Sequence, residues 1–350
     1  MDRPTISLHG VTKDYGRGRG IFGVTLDVAQ GQTVGFLGAN GAGKTVTMRT
    51  LMGFIRPNSG TASINGLDCF RDRARIQASL GYLPGEVACP GRMTGIEFLR
   101  FMATMNATRN RETSGKASGN GDGADRSIRA VRTRMDELVE RFDLDPSARI
   151  ARMSKGTKQK VAIVAAFMGS PHVLLLDEPT SGLDPVMQDR FVELVADERR
   201  RGATILLSSH MFAEVERTCD RVAFIRAGHL RGVRSMDEMR AARKHAFDVT
   251  FADAEEAARY RMAAHPGCLV AGGEGTGGGD TGTRAAGSPA LAVEVTASVD
   301  AFIKDLAGYR VAALASREQT LEDLFRHIYD DAPDRMDAGT RCAIDSEAAR

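Results

Sequence analysis

The stretch Gly38-Ala39-Asn40-Gly41-Ala42-Gly43-Lys44-Thr45 is a glycine-rich turn closed by a lysine and a hydroxyl. It fits the phosphate-loop pattern of Gly, four spacers and Gly-Lys-Ser/Thr. Glycines let a backbone turn tightly enough for successive N–H groups to point inward and cradle an anion. A helix leaving the loop adds its positive end to that attraction. Lys44 would then reach the β- and γ-phosphates of a nucleotide, and Thr45 would offer its hydroxyl to Mg²⁺. A second candidate is the pair Asp177-Glu178, which follows the apolar run Val173-Leu174-Leu175-Leu176. Asp177 would hold Mg²⁺ through water, because that ion keeps part of its hydration shell. Glu178 would stand near the γ-phosphate as a general base toward water. Alone, an Asp-Glu pair after an apolar strand is usually a solvated strand end. Beside a phosphate loop the catalytic reading prevails.

These residues need rigid elements behind them. The run Thr33-Val34-Gly35-Phe36-Leu37 reads as a buried strand entering the phosphate loop, and Lys44 to Met52 as the helix leaving it. Alternating patterns at 5–9 and 24–28 predict half-exposed strands. Short strands are expected at 61–64 and 80–84. Thr94-Gly95-Ile96-Glu97 is a capping-box pattern, followed by a helix to about Met105. Residues 107–125 are rich in Gly, Ser, Asn, Asp, Arg and Thr and read as a disordered insertion. Helical patterning resumes over 127–142. A mostly buried helix is expected over 154–168 and a buried strand over 172–177. Asp184-Pro185 supplies an N-cap and a first-turn proline for a helix to about Arg201. Strands at 203–208 and 221–225, with a helix over 212–217 between them, complete an alternation typical of a parallel sheet covered on both faces.

Past Gly232 the pattern changes. Strands at 246–251, 268–270, 290–296 and 311–315 alternate with two helices, capped by Asp253 and Ser298, in the order β-α-β-β-α-β. That is the ferredoxin-like arrangement. A Gly-rich loop over 271–289 interrupts it, a helix is expected over 320–329, and 331–350 is a polar tail. The expected organisation is therefore an α/β nucleotide-binding domain over 1–232, with a helical subdomain over about 86–168, and a small α+β domain over 233–330.

Composition bounds the function. A length of 350 residues, 42% of them hydrophobic, suits two domains with ample cores. The net charge of +2 supplies no basic field for nucleic acid, and no nucleic-acid partner is expected. The cysteines Cys69, Cys89, Cys219, Cys268 and Cys342 are scattered and lack metal-ligand spacing, which fits a reducing cytoplasm. Residues 1–20 are polar and charged, unlike a signal peptide. No apolar run reaches the roughly 18 residues needed to span a bilayer.

Further motifs narrow the phosphate-loop families. Met153-Ser154-Lys155-Gly156-Thr157-Lys158-Gln159 precedes Asp177, Ser181-Gly182-Leu183-Asp184 follows Glu178, and Ser208-Ser209-His210 ends the next strand. This ordered set resembles the ATP-binding cassette (ABC) transporter ATPases, over about residues 5–232. The wording Ser-Lys-Gly, the segment Tyr82-Leu83-Pro84-Gly85-Glu86 and the ending Thr320-Leu321-Glu322-Asp323-Leu324-Phe325 resemble the ABC-2 exporter-type subgroup. The fold this implies is a P-loop NTPase core with a mixed sheet and a helical subdomain.

The resemblance implies that Tyr15 stacks on adenine and that Ser154 and Gly156 close over the γ-phosphate of ATP held by a second copy. A helix N-terminus suits that role. It also implies that Asp184 lies at the contact between copies, and that His210 touches the γ-phosphate and orients the attacking water. The cofactors would be ATP and Mg²⁺. The partners would be a second copy, head to tail, and a separate integral membrane permease, with this chain peripheral on the cytoplasmic face of the membrane. The alternative is a soluble ABC ATPase acting as a regulator or in DNA repair or translation. Two positions depart from the family. Lys155 and Thr157 replace a glycine and a glutamine of the usual signature. Gly85 replaces the glutamine that usually meets Mg²⁺, so Glu86 is the candidate substitute.

Overall fold

The computed structural model describes residues 4–113, 122–241, 245–265, 268–270, 289–295 and 298–318. The chain divides into two compact units, Met1–Asp237 and Glu238–Arg350.

The first unit opens with strands β1 (Ile6–Asp14), β2 (Gly20–Val28) and β3 (Thr33–Leu37), then helix α1 (Lys44–Leu51). Next come β4 (Ser59–Ile64), β5 (Leu67–Asp68), α2 (Arg73–Ser79) and β6 (Leu80–Leu83). Two long helices follow, α3 (Gly95–Thr113) and α4 (Asp122–Arg141), then α5 (Lys155–Phe167) and β7 (Val173–Asp177). The unit closes with α6 (Pro185–Arg200), β8 (Thr204–Ser209), α7 (Phe212–Thr218), β9 (Arg221–Arg226) and β10 (His229–Ser235). Helix α8 (Met236–Ala241) runs on past Asp237.

Two sheets result. One is four-stranded and antiparallel, in the order β2-β1-β4-β5, and the other is six-stranded, in the order β10-β9-β3-β8-β7-β6. In the larger sheet every pair is parallel except β9 with β10. Strands β3, β7 and β8 are buried along their whole lengths, as central strands covered on both faces must be. In β2 the alternation comes from the buried Ile21, Val24, Leu26 and Val28, whose side chains join the core with Phe36 and Met48.

Three expectations need correction. Strand β10 was not legible, because it is reached through a two-residue turn at Ala227-Gly228, both at positive φ. It pairs with β9 and carries the first unit past Gly232. The insertion expected over 107–125 is helical in backbone over 107–113 and 122–125, at the facing ends of α3 and α4. Polar composition argues against burial, not against a helix, since charged and amide side chains lose little freedom there. Ser298 sits at the N-cap of its helix but makes no side-chain capping bond. Elsewhere the caps form as read. Thr94 N–H donates to Glu97 Oε2 at 2.8 Å and Glu97 N–H donates to Thr94 Oγ1 at 3.3 Å.

In the second unit the described elements are β11 (His245–Phe251), α9 (Ala254–Met262), β12 (Cys268–Val270), β13 (Ala290–Val295), α10 (Val299–Leu306) and β14 (Val311–Glu318). The sheet order is β12-β13-β11-β14, with every pair antiparallel. Its core gathers Phe247, Val249, Phe251, Tyr260 and Phe302. The expected helix over 320–329, the tail over 331–350 and, apart from Pro289, the loop over 271–289 lie outside the described residues.

Candidate nucleotide site

Strands β3, β8 and β7 are neighbours, and their register sets Leu37 opposite Ser209 and Asp177 opposite Ser208. The phosphate loop leaves β3, Glu178 leaves β7 and His210 leaves β8. One edge of the sheet thus collects all three, at the carboxyl ends of the strands where open α/β sheets bind ligands.

The loop is glycine-rich for steric reasons at two of its positions. A β-carbon on Gly43, at φ 112°, would stand 2.7 Å from Ile21 Cγ2, and one on Gly38 would stand 2.4 Å from the Ile225 carbonyl oxygen. Gly43 is the N-cap of α1. Lys44, only 5% exposed, folds back over the loop. Its Nζ donates to the carbonyls of Gly38 at 2.6 Å and Ala39 at 3.3 Å, and lies 3.1 Å from Glu178 Oε1. Ala42 is buried beneath, its carbonyl taken by the Gly228 N–H at 2.9 Å. In front opens a cleft of about 350 Å³, lined by Tyr15, Asn40, Gly41, Gly43, Lys44, Thr45 and Glu178 among others. Tyr15 is 48% exposed at its edge.

Glu178 takes a left-handed conformation, φ 48°, which few non-glycine residues adopt. Ser208 holds it there, its carbonyl and hydroxyl accepting the Glu178 N–H at 3.1 and 3.2 Å. The Glu178 carboxylate is shared: Oε1 faces Lys44, and Oε2 lies 2.6 Å from His210 Nδ1. Strain of this kind at a strand end points to a functional demand. Asp177 is fully buried, with Oδ1 accepting the Ser208 hydroxyl and Oδ2 left without a partner. Burial, reinforced by the charge of Asp177, pushes the Tyr82 phenol up to about 12.

Ser154 and Gly156 do not line the cleft. Ser154 caps α5, its hydroxyl accepting the Thr157 N–H at 3.1 Å. Gly156 packs so tightly that a β-carbon would lie 2.6 Å from the Gly182 carbonyl oxygen. Lys155 Nζ donates to Ser181 Oγ at 2.9 Å, and buried Gln159 donates through Nε2 to the Pro179 carbonyl at 2.7 Å. The first turns of α5 are thereby clamped to the loop that carries Glu178. Asp184 caps α6, accepting the Met187 N–H at 3.0 Å.

The sequence profile described as ABC transporter matches residues 21–181. The daunorubicin resistance ATP-binding protein DrrA3 of Streptomyces coeruleorubidus is 30% identical over 95% of this chain and 98% of its own length. The chain belongs to the ABC transporter ATPase family. A solved structure titled as the ATP-binding subunit of an ABC transporter is 28% identical, with a TM-score of 0.57 over 68% of this chain and 92% of that one. A bacterial ABC transporter cassette, MJ0796, titled as a dimeric structure, shares the fold at 20% identity, with a TM-score of 0.55 over 66% of this chain and 98% of that one. The subgroup is the exporter-type one of the DrrA kind.

Within this cassette, sequence reasoning passed over three residues that shape the site. Ser208 holds both Asp177 and Glu178, Gln159 anchors the loop after Glu178, and Glu214 bonds to Ser209 at 2.6 Å. Gln159 and Ser208 stood inside the quoted motifs, but only the contacts separate them from their neighbours.

Proposed function

We propose that this cassette powers export through a separate membrane permease, with two copies sandwiching two ATP molecules. The observation that carries the reading is the Glu178 carboxylate, strained in backbone and divided between Lys44 and His210. ATP would enter the cleft with adenine on Tyr15 and its phosphates on the N–H groups of 38–45. Lys44 would exchange Glu178 for the β- and γ-phosphates, which frees the carboxylate to take a proton from the attacking water. His210 would orient that water and offset charge at the γ-phosphate. Ser154 and Gly156 of the second copy would close over the γ-phosphate, because this chain's own pair lies outside its cleft.

Mg²⁺ fits the residues present: Asp177 Oδ2 is buried without a partner, one residue before the Glu178 that lines the cleft with Thr45. Thr45 and Asp177 would hold the ion, which neutralises phosphate charge when bound.

No helix among the described residues is long and apolar enough to cross a membrane. In this reading the path for substrate belongs to another subunit, and this chain is peripheral. A groove of about 280 Å³, lined by Tyr82, Pro84, Val87, Phe98 and Met102 among others, supports docking of that subunit next to Gly85. The second unit is read as a ferredoxin-like appendage to the cassette. The relative named for daunorubicin resistance favours export.

Glu178→Gln tests the reading. The variant should bind ATP and dimerise on a sizing column yet release no phosphate. Turnover at the wild-type rate would remove Glu178 from the role of base.

A further inference from the structure

Behind His210 lies a carboxyl group that the proposed reaction leaves unused. Glu214, in the first turn of α7, is 5% exposed, and its Oε2 accepts a 2.6 Å hydrogen bond from Ser209 Oγ. The same Ser209 oxygen accepts the Met211 N–H at 2.9 Å. Ser209 and Met211 flank His210, so the Ser209 hydroxyl that Glu214 holds also ties down the far side of the turn that carries the histidine.

The charged and titratable groups around Glu214 come from several directions. Glu178 and Thr180 face it from the loop after β7, and His210 from the end of β8. Cys219, at the end of its own helix, is a thiol that burial pushes up to about 12 and so keeps neutral. Strand β3, Thr33–Leu37, brings no charged side chain. From α6, Asp189 is paired with Arg217 of α7 at 2.8 Å. Burial, with the charge of Glu178 in support, lifts the Glu214 carboxyl to about 7, against the bonds from Ser209 and Thr180 and the charge of His210.

A carboxylate in that place costs the fold stability once ionised. A glutamine would accept the same bond from Ser209 without that cost. That hydrogen bond therefore leaves the choice of Glu unexplained, and the neighbouring Glu178 and His210 supply a reason for it.

We propose that Glu214 is a positioning residue for the hydrolysis step: through Ser209 it fixes the backbone that holds His210 against Glu178, and it adds a negative charge behind that pair. The inference rests on the roles given above to Glu178 and His210. Glu214 does not line the cleft, and the proposal gives it no contact with the nucleotide.

The test uses the purified full-length chain. Steady-state ATP hydrolysis is followed from about pH 5.5 to about pH 9, and ATP affinity is measured with a fluorescent ATP analogue. Glu214→Ala should lower kcat roughly ten- to hundredfold and leave affinity within about twofold. Glu214→Gln should match the wild type below about pH 6, where Glu214 is neutral. It should lack the rise in kcat that the wild type shows through a pH of about 7. Wild-type kcat in Glu214→Ala, or a rise near neutrality that survives in Glu214→Gln, would overturn the proposal. Should Glu214→Ala not fold, the pH profile of the isosteric Glu214→Gln decides alone. A parallel Glu178→Gln sample separates the two readings, because full turnover there sinks the role of Glu178 whatever Glu214 does.

Discussion

A β-carbon on Gly85 would stand 3.1 Å from Asp177 Oδ2, the buried carboxylate oxygen with no hydrogen-bond partner. Any side chain at that position would press on the group proposed to face Mg²⁺. The glycine where the family usually has glutamine therefore keeps the space before Asp177 open. Glu86, one residue on, is exposed. Gly85→Ala should weaken the Mg²⁺ dependence of hydrolysis by roughly fivefold, in line with about 1 kcal/mol of crowding. Titrating hydrolysis with Mg²⁺ checks it, and an unchanged midpoint would refute the crowding argument.

Gln159 anchors the loop that carries Glu178, with its amide 2.7 Å from the Pro179 carbonyl. Gln159→Leu keeps the apolar bulk but strands that carbonyl in the interior. The expected cost is about 1–3 kcal/mol of stability. kcat should fall more than ATP affinity, because the loop positions the base and not the nucleotide. Urea unfolding and a kcat-against-KM comparison measure both halves.

Glu214 makes stability depend on pH with a definite sign. Its folded-state value of about 7 lies above the ordinary 4.5. The stability it contributes is full below the ordinary value and is lost as pH rises through about 7. Glu214→Gln should then be more stable than the wild type at about pH 8, by an amount on the order of 3 kcal/mol, and equal to it near pH 4. Denaturant midpoints at the two pH values decide it.

Tyr15 presents its ring at the edge of the cleft, with Lys13 Nζ 5.4 Å from the ring centre. Stacking on a base contributes about 1–3 kcal/mol, so Tyr15→Ala should weaken ATP binding about tenfold or more while Tyr15→Phe leaves it intact. Equal loss in both variants would point to the hydroxyl instead of the ring.

Much of the cassette was legible because its strands bury both faces. The runs Thr33–Leu37 and Val173–Asp177 are continuous apolar stretches that end at chemistry-bearing residues. Caps at Thr94, Asp184 and Asp253 were readable because a short polar side chain before a helix has one dominant use. Strand β10 was not, since its residues Arg231, Gly232 and Arg234 dilute any period of two, and its pairing with β9 and the packing of Leu230 and Val233 on the core are tertiary. The helical ends of α3 and α4 were hidden by their polarity, which is silent about backbone conformation.

For the site, local sequence determined which residues could bind phosphate, accept a proton or hold a cation, because those capacities belong to side-chain types and short spacings. Tertiary structure decided how they are shared. The register of β7 against β8 lets Ser208 grip both Asp177 and Glu178, and the turn after β8 brings His210 to the Glu178 carboxylate. Burial, which no local pattern records, makes Glu214 a group poised near neutrality and leaves Asp177 Oδ2 open beside Gly85. Charge and hydrogen bonding inside a protein depend on what is excluded around them, and only the packed chain sets that.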